Sequence, residues 1–180
     1  REGVQVPRLF AERCREQGML PFGYSRMAHL AAPPPYEAHW SALYRAHPAY
    51  RCIDFDDTPV CRLSIAFPEV RAAFFALFTE QVEMGMAGIN NVFVRGLPMV
   101  LYEAPVRERF RERYDEDITR LPTDDPRAQA VRAEFMTAFM REQRAAMGSA
   151  QIIATVPATR AVCEFFGLDI PAWVREGLID

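Results

Sequence analysis

Apolar residues recur along this chain with helical and strand-like spacing in turn. Helical patterns cover residues 4–17, 64–84, 105–114 and 125–147, and short helical segments follow at 165–167 and 171–176. Short apolar runs typical of buried strands cover residues 19–27, 89–94 and 150–156. Strands separated by helices pair in parallel through right-handed crossovers, so the pattern predicts an α/β fold with three parallel strands.

Local signals at the helix ends agree with these boundaries. Gly18 is placed to end the first helix. Pro68 suits the first position of the second helix, and Glu69 suits the positive end of its dipole. Asp125 followed by Pro126 predicts the N-cap and first residue of the longest helix.

The segment between the first strand and the second long helix predicts an irregular loop over residues 28–63. Its aromatic residues are either a platform for sugar rings or the loop's own core, and the core is favoured. They are Tyr36, Trp40, Tyr44 and Tyr50. Residues 54–59 predict a solvated turn, because their three aspartates lack the Gly and distant Glu of an EF-hand loop.

Chain length limits the architecture. Three parallel strands alone leave one face of a sheet poorly covered. A complete eight-stranded β/α barrel needs about 250 residues, and this chain has 180. We therefore expect residues 1–180 to form a single incomplete barrel domain within a larger chain, with a small doubly wound domain as the alternative.

Charge and hydropathy exclude two classes of partner. All 21 basic residues are arginine, and they are scattered among carboxylates in a chain of net charge −3. This argues against nucleic-acid binding, which favours a basic stripe. No apolar run reaches the roughly 18 residues of a transmembrane helix, so no membrane partner is expected. The sequence predicts a soluble protein, secreted or periplasmic if a signal precedes Arg1, and it leaves the oligomeric state open.

Cysteine and histidine spacing predicts neither a metal site nor a cofactor. The four cysteines form no CxxC pair, and the three histidines are too widely separated for a recognisable metal site. Cys52 and Cys61 flank the predicted turn and are placed to pair across it, but small buried thiols are favoured.

Polar residues follow each predicted strand. In parallel β/α folds the reacting groups collect at the C-terminal ends of the strands. The residues at these ends are Tyr24, Arg26 and His29, then Asn90, Asn91, Arg95, Tyr102 and Glu103, and finally Thr155 and Thr159. All but the two threonines are predicted site residues, with Glu103 as the catalytic candidate and the others as substrate-binding residues.

Several motifs resemble one known family. The clearest are LSIAFPEVR at residues 63–71 and GINNVFVRG at 88–96. Shorter matches are YEAP at 102–105, LPTDDPR at 121–127, FFGLD at 165–169 and WVREGL at 173–178. These stretches resemble the central part of the glycosyl-hydrolase-like barrel family. The resemblance implies a partial (β/α)₈ barrel containing roughly the third to fifth strands, and carbohydrate as substrate or ligand.

One position departs from that family's pattern. Val92 stands where the family often carries an Asp near the end of the fourth strand. Glycoside hydrolysis generally needs two carboxyl groups, and Glu103 is the best substitute within this chain. Glu103 is either a general acid or a residue stabilised at a helix N-terminus.

The other polar candidates also have two interpretations. Arg95 either grips a substrate oxygen or forms a structural ion pair. Because strand residues alternate in direction, only one of Asn90 and Asn91 faces the barrel interior. His29 binds substrate or is structural, and the structural role is favoured.

Three functions therefore remain open. The first is a glycoside hydrolase. The second, favoured by Val92, is a non-catalytic or degenerate barrel that binds carbohydrate. The third is another barrel enzyme. A metal-dependent enzyme of this kind would need a cluster of His and carboxylates, which the sequence does not show.

Overall fold

The fold is taken from a computed structural model, which describes residues 5–28 and 30–180. Five strands lie in two sheets, and seven α-helices surround them within the described residues. The strands are β1 (Phe22–Arg26), β2 (Arg51–Ile53), β3 (Pro59–Leu63), β4 (Gly88–Val92) and β5 (Gln151–Thr155). The helices are α1 (Val6–Glu16), α2 (Ala42–Ala46), α3 (Pro68–Glu83), α4 (Ala104–Tyr114), α5 (Pro126–Met147), α6 (Arg160–Phe165) and α7 (Ile170–Arg175).

The main sheet contains three parallel strands in the order β1-β4-β5. Tyr24 lies beside Asn90, and Asn90 lies beside Ile153. Helices connect the strands and flank the sheet, so the predicted α/β class is confirmed. The arrangement is that of part of a (β/α)₈ barrel.

The two faces of this sheet differ in burial. One face carries Gly23, Ser25, Ile89 and Asn91, and all four are buried beneath the helices. Tyr24 on the opposite face is 60% exposed. Within the described chain no helix covers that opposite face around Tyr24, which in a closed barrel would be the interior.

Helix α3 packs against β1 and β4, and α5 packs against α3 and meets β4 through Gln143. Pro68 begins α3, and the Asp125 side chain caps α5 by accepting from the Arg127 backbone N–H at 2.8 Å, as the sequence predicted. Phe74 of α3 meets Phe139 of α5 edge to face, with ring centroids 6.1 Å apart. Such aromatic burial stabilises the helix–sheet layer beyond the apolar area that it removes from water.

The prediction of an irregular loop over residues 28–63 was wrong. This segment contains α2 and an antiparallel hairpin formed by β2 and β3. The predicted turn does connect the two strands, and Asp57 adopts a left-handed conformation there (φ 65°). The hairpin was missed because β2 has only three residues and a bulge disrupts its pairing.

The structure also tests the predicted length of the first strand and the possible pairing of Cys52 with Cys61. The first strand is shorter than predicted, since residues 19–21 precede it and Leu20 is 67% exposed. All four cysteines are free thiols, so Cys52 and Cys61 do not pair. Across residues 5–28 and 30–180, no helix combines the length and apolar character needed to cross a membrane.

Candidate functional site at the strand ends

Asn90 joins two strands on the open face of the sheet. Thr155 Oγ1 lies 3.0 Å from Asn90 Oδ1, which accepts its hydrogen bond across the β4–β5 pair. The Asn90 Nδ2 group has no partner among the described residues. Because the bond from Thr155 to Oδ1 orients the whole amide group, Nδ2 points in a fixed direction. An external hydroxyl oxygen could accept a hydrogen bond from it.

Asn91 points the other way, as strand alternation requires. Its Nδ2 donates to Gln143 Oε1 of α5 at 2.8 Å, and Gln143 Nε2 donates back to Asn91 Oδ1 at 3.3 Å. Both side chains are buried. The substrate-binding candidate Asn91 thus pairs with the outer helix layer, and Asn90 is the residue on the interior face.

Tyr24 lies beside Asn90 at the middle of the two strands, and Arg26 and Arg95 lie at or just beyond the strand ends. Tyr24 is the neighbour of Asn90 in the register, and Arg26 follows two residues later on the same face. Arg26 Nε donates to the Arg95 carbonyl oxygen at 3.4 Å. The Arg95 side chain is exposed and forms no ion pair with any described residue, so the structural ion pair considered for it is absent there.

We call Tyr24, Arg26, Asn90, Arg95 and Thr155 the strand-end cluster. It combines an exposed aromatic ring, two guanidinium groups, an amide donor and a hydroxyl. An aromatic face suits the apolar C–H face of a pyranose, and amides and guanidinium groups suit its hydroxyl oxygens. No carboxylate belongs to the cluster.

A cavity of about 490 Å³ adjoins Arg26. Tyr36, His39 and Arg62 also line it. The cavity follows directly from β1, so it extends the strand-end cluster toward the aromatic segment. Three alanines and a proline form the rest of its lining, and none of the described residues that form it is Asp or Glu.

The aromatic segment itself divides into core and surface. Trp40 and Tyr44 pack at 5.0 Å between ring centroids, and the Arg51 guanidinium lies 4.3 Å from the Tyr44 ring centre. Tyr50 stacks on His47. These aromatics form the segment's own core, as favoured from the sequence, whereas Tyr36 is 59% exposed beside the cavity.

Glu103 occupies a buried position at the start of α4. Its side chain is only 1% exposed, and Oε1 accepts from the backbone N–H groups of Ile53 at 3.2 Å and Leu101 at 3.1 Å. Oε2 also accepts from the Leu101 N–H at 3.0 Å. The carboxylate thus ties the β2–β3 hairpin to the segment that leads into α4.

Burial raises the pKa of the Glu103 carboxyl above its ordinary range. The hydrogen bonds from Leu101, Cys52 and Ile53 act in the opposite direction. The same burial, with the Glu103 charge nearby, raises the pKa of the Cys52 thiol well above its ordinary range.

The remaining predicted residues are Tyr102 and His29, and Val92 is the position that departs from the family's pattern. Tyr102 is 3% exposed, and its backbone N–H donates to the Ile53 carbonyl oxygen at 2.9 Å. Val92 is buried beside Thr155. His29 lies outside the described residues.

Sequence reasoning missed Arg132, which is only 3% exposed in the first half of α5. Its guanidinium lies 5.6 Å from the Tyr102 ring centre. A charged residue in a helix usually marks the solvated face. The signal that could have found Arg132 is its spacing, three and seven residues before the apolar Phe135 and Phe139. Among the described residues, no three His, Cys, Asp or Glu side chains are grouped to hold a metal ion.

Comparison with known proteins gives a fold and no family. No protein-family model matches the chain, and no curated protein sequence matches it. An α-galactosidase from Thermus thermophilus, solved in complex with stachyose, matches with a TM-score of 0.50 at 15% identity over 87% of this chain and 29% of that chain. The α-galactosidase from Lactobacillus brevis matches with a TM-score of 0.50 at 15% identity over 89% of this chain and 20% of that chain.

The chain therefore shares the α/β barrel fold of part of these two structures and spans less than a third of either of them. At this identity the likeness establishes architecture alone, because one barrel fold supports many reactions.

Proposed function

We propose that this protein binds carbohydrate at the strand-end cluster. The observation that carries the proposal is the pairing of exposed Tyr24 with Asn90, whose amide is oriented by Thr155 from the next strand. Ligands of parallel β/α folds bind at the C-terminal ends of the strands. Thr155 is the last residue of β5, and Tyr24 and Asn90 lie two residues before the ends of β1 and β4.

Each group has a defined role in this proposal. The Tyr24 ring stacks on the apolar face of a sugar ring. Asn90 Nδ2 donates to a hydroxyl oxygen, and Arg95 supplies further donors beside it. The α-galactosidase neighbours support the choice of first ligands, since one was solved with stachyose.

A screen with stachyose and p-nitrophenyl α-D-galactopyranoside tests the proposal. Binding is followed by isothermal titration calorimetry for the wild type and Asn90→Ala, with Asn90→Asp as the variant that keeps the shape and loses the amide donor. We expect binding by the wild type and at least a tenfold weaker affinity for both variants. Equal affinity in all three proteins would remove Asn90 from the site.

The second candidate function is glycoside hydrolysis with Glu103 as proton donor. The raised pKa of its carboxyl favours this role, because a general acid must hold its proton near the working pH. Hydrolysis also requires a second carboxyl group. The strand-end cluster contains no carboxyl group.

Glu103→Gln distinguishes the two functions. If the wild type releases p-nitrophenol and Glu103→Gln binds the galactoside without releasing it, Glu103 is the acid. If both proteins release it equally, the assignment of Glu103 is wrong. If the wild type binds without releasing product, the non-catalytic function is supported.

A further inference from the structure

A second cavity, of about 360 Å³, lies on the segments that follow β1, β4 and β5. The hairpin contributes Phe55, the segment after β4 contributes Tyr102, and the end of α6 contributes Phe165 and Phe166. Arg132 of α5 completes the lining. The cavity is separate from the strand-end cluster, with which it shares no lining residue.

Arg132 is a buried cation without an ion pair among the described residues. One Nη atom donates to the Thr123 carbonyl oxygen at 3.3 Å, and the guanidinium lies against the Tyr102 ring. Its Nε–H is buried and has no partner. A buried charge costs several kcal/mol unless an opposite charge or hydrogen bonds compensate for it, and neither the single carbonyl nor the ring carries a negative charge.

The rest of the lining is largely apolar. Phe165 and Phe166 meet edge to face at 5.1 Å between ring centroids. Phe55 is 52% exposed and Phe165 is 40% exposed, although both face a cavity that an apolar group would fill. Cavities of roughly 300–1,000 Å³ with apolar walls and a few fixed polar groups are typical of small-molecule sites.

One acidic residue also lines the cavity. Asp54 Oδ1 accepts from the Phe55 backbone N–H at 2.8 Å, and Asp54 forms no ion pair with Arg132. Its charge repels an anion and therefore opposes the binding that Arg132 favours. The net effect of the two charges on an anion depends on how far water screens each of them. Arg132 is buried, whereas Asp54 is only half-buried.

We propose that this cavity binds a small aromatic carboxylate. The carboxylate pairs with the Arg132 guanidinium, and the aromatic body lies among Phe55, Phe165 and Phe166. Guanidinium and carboxylate match in geometry, and a partly desolvated pair is stronger than one in water. The proposal does not depend on carbohydrate binding at the strand-end cluster.

Titration with 3-phenylpropanoate tests the proposal, and 3-phenylpropanamide serves as the neutral ligand of the same shape. Calorimetry and chemical-shift changes of the Phe165 and Phe166 amides report binding and its location. We expect the carboxylate to bind at least tenfold more tightly than the amide. We also expect Arg132→Met to lose this preference and Asp54→Asn to bind the carboxylate two- to fivefold more tightly.

Several results would overturn the proposal. The first is equal affinity for 3-phenylpropanoate and 3-phenylpropanamide, and the second is no binding of 3-phenylpropanoate. The third is chemical-shift changes at Tyr24 and Asn90 in place of Phe165 and Phe166. Tighter binding of inorganic phosphate than of 3-phenylpropanoate would replace the aromatic ligand with a phosphate. If Arg132→Met fails to fold, the acid–amide comparison and Asp54→Asn still decide the question, because both use folded protein.

Discussion

Asn91 and Gln143 hold each other's side-chain amides across the boundary between the sheet and α5, with both side chains fully buried. Adjacent Asn90 instead bonds Thr155 on the open face. Of these two neighbouring asparagines, Asn91 thus has a structural role, and Asn90 is the proposed binding residue. The division follows from the alternation of a strand placed between a helix layer and a barrel interior.

Replacing Asn91 by Ala should cost about 1–3 kcal/mol of the free energy of unfolding, because Gln143 would be left buried without a partner. Asn90→Ala should change stability by less than about 0.5 kcal/mol, as is usual for a partly exposed site. Urea unfolding of both variants measures the difference. Combining Asn91→Leu with Gln143→Leu should recover part of the loss, and a double variant as unstable as the two singles added together would contradict the pairing.

The close contact between β4 and β5 requires glycine at position 88. A Cβ atom at Gly88 would collide with the backbone carbonyl of Gln151, which cannot move without separating the strands. We expect Gly88→Ala to lower the free energy of unfolding by about 1–3 kcal/mol, as overpacking does, or to prevent folding. Thermal unfolding followed by circular dichroism measures the loss.

Gly18→Ala is the matched control for that substitution. Gly18 has a left-handed φ of 72° but open space around it, with no atom within 4 Å of a Cβ placed there. Gly18→Ala should therefore lower the free energy of unfolding only by the backbone strain of a left-handed alanine, about 1 kcal/mol. A Gly18→Ala variant less stable than Gly88→Ala would contradict the strand contact as the dominant effect.

Glu103 should make stability depend on pH in a defined direction. Its pKa is raised above the ordinary value of 4.5 by burial, so the folded protein holds this proton more tightly than the unfolded chain. The free energy of unfolding must therefore fall as the pH rises from about 4.5 through the raised pKa. Glu103→Gln removes that dependence, and urea titrations at several pH values measure the slope.

Glu12→Gln provides the control, because Glu12 is exposed on α1. We expect its slope to match the wild type, whereas Glu103→Gln should give a flatter curve. Identical slopes for all three proteins would mean that the Glu103 carboxyl titrates in the folded protein as it does in the unfolded chain. Glu103→Ala should cost more stability than Glu103→Gln, since it leaves the Leu101 and Ile53 N–H groups unpaired.

Much of the fold was predictable because it depends on local signals. Asp125 and Pro126 mark the start of α5 through capping chemistry that a sequence displays directly. The order of helices and strands predicted the parallel sheet. Alternation also predicted that only one of Asn90 and Asn91 faces the interior, although the periodicity alone did not say which.

The hairpin and the buried charges depend on tertiary contacts that no local pattern records. The two hairpin strands are short, and Arg51 and Arg62 interrupt their apolar residues. Arg132 has the spacing of a core residue, four residues from buried Ala128 and buried Met136, but its charge is typical of an exposed position. Glu103 was recognised as a helix-start residue from its position, but its bond to the hairpin required the fold.

Calorimetric titration of stachyose into wild type, Tyr24→Ala and Phe10→Ala tests carbohydrate binding at the strand-end cluster most directly. Phe10 is the matched control. It is an aromatic residue 53% exposed on α1, a helix that contributes no residue to the strand-end cluster. We predict that Tyr24→Ala weakens binding at least tenfold and that Phe10→Ala binds like the wild type. Unchanged affinity in Tyr24→Ala, or equal losses in both variants, would contradict the account.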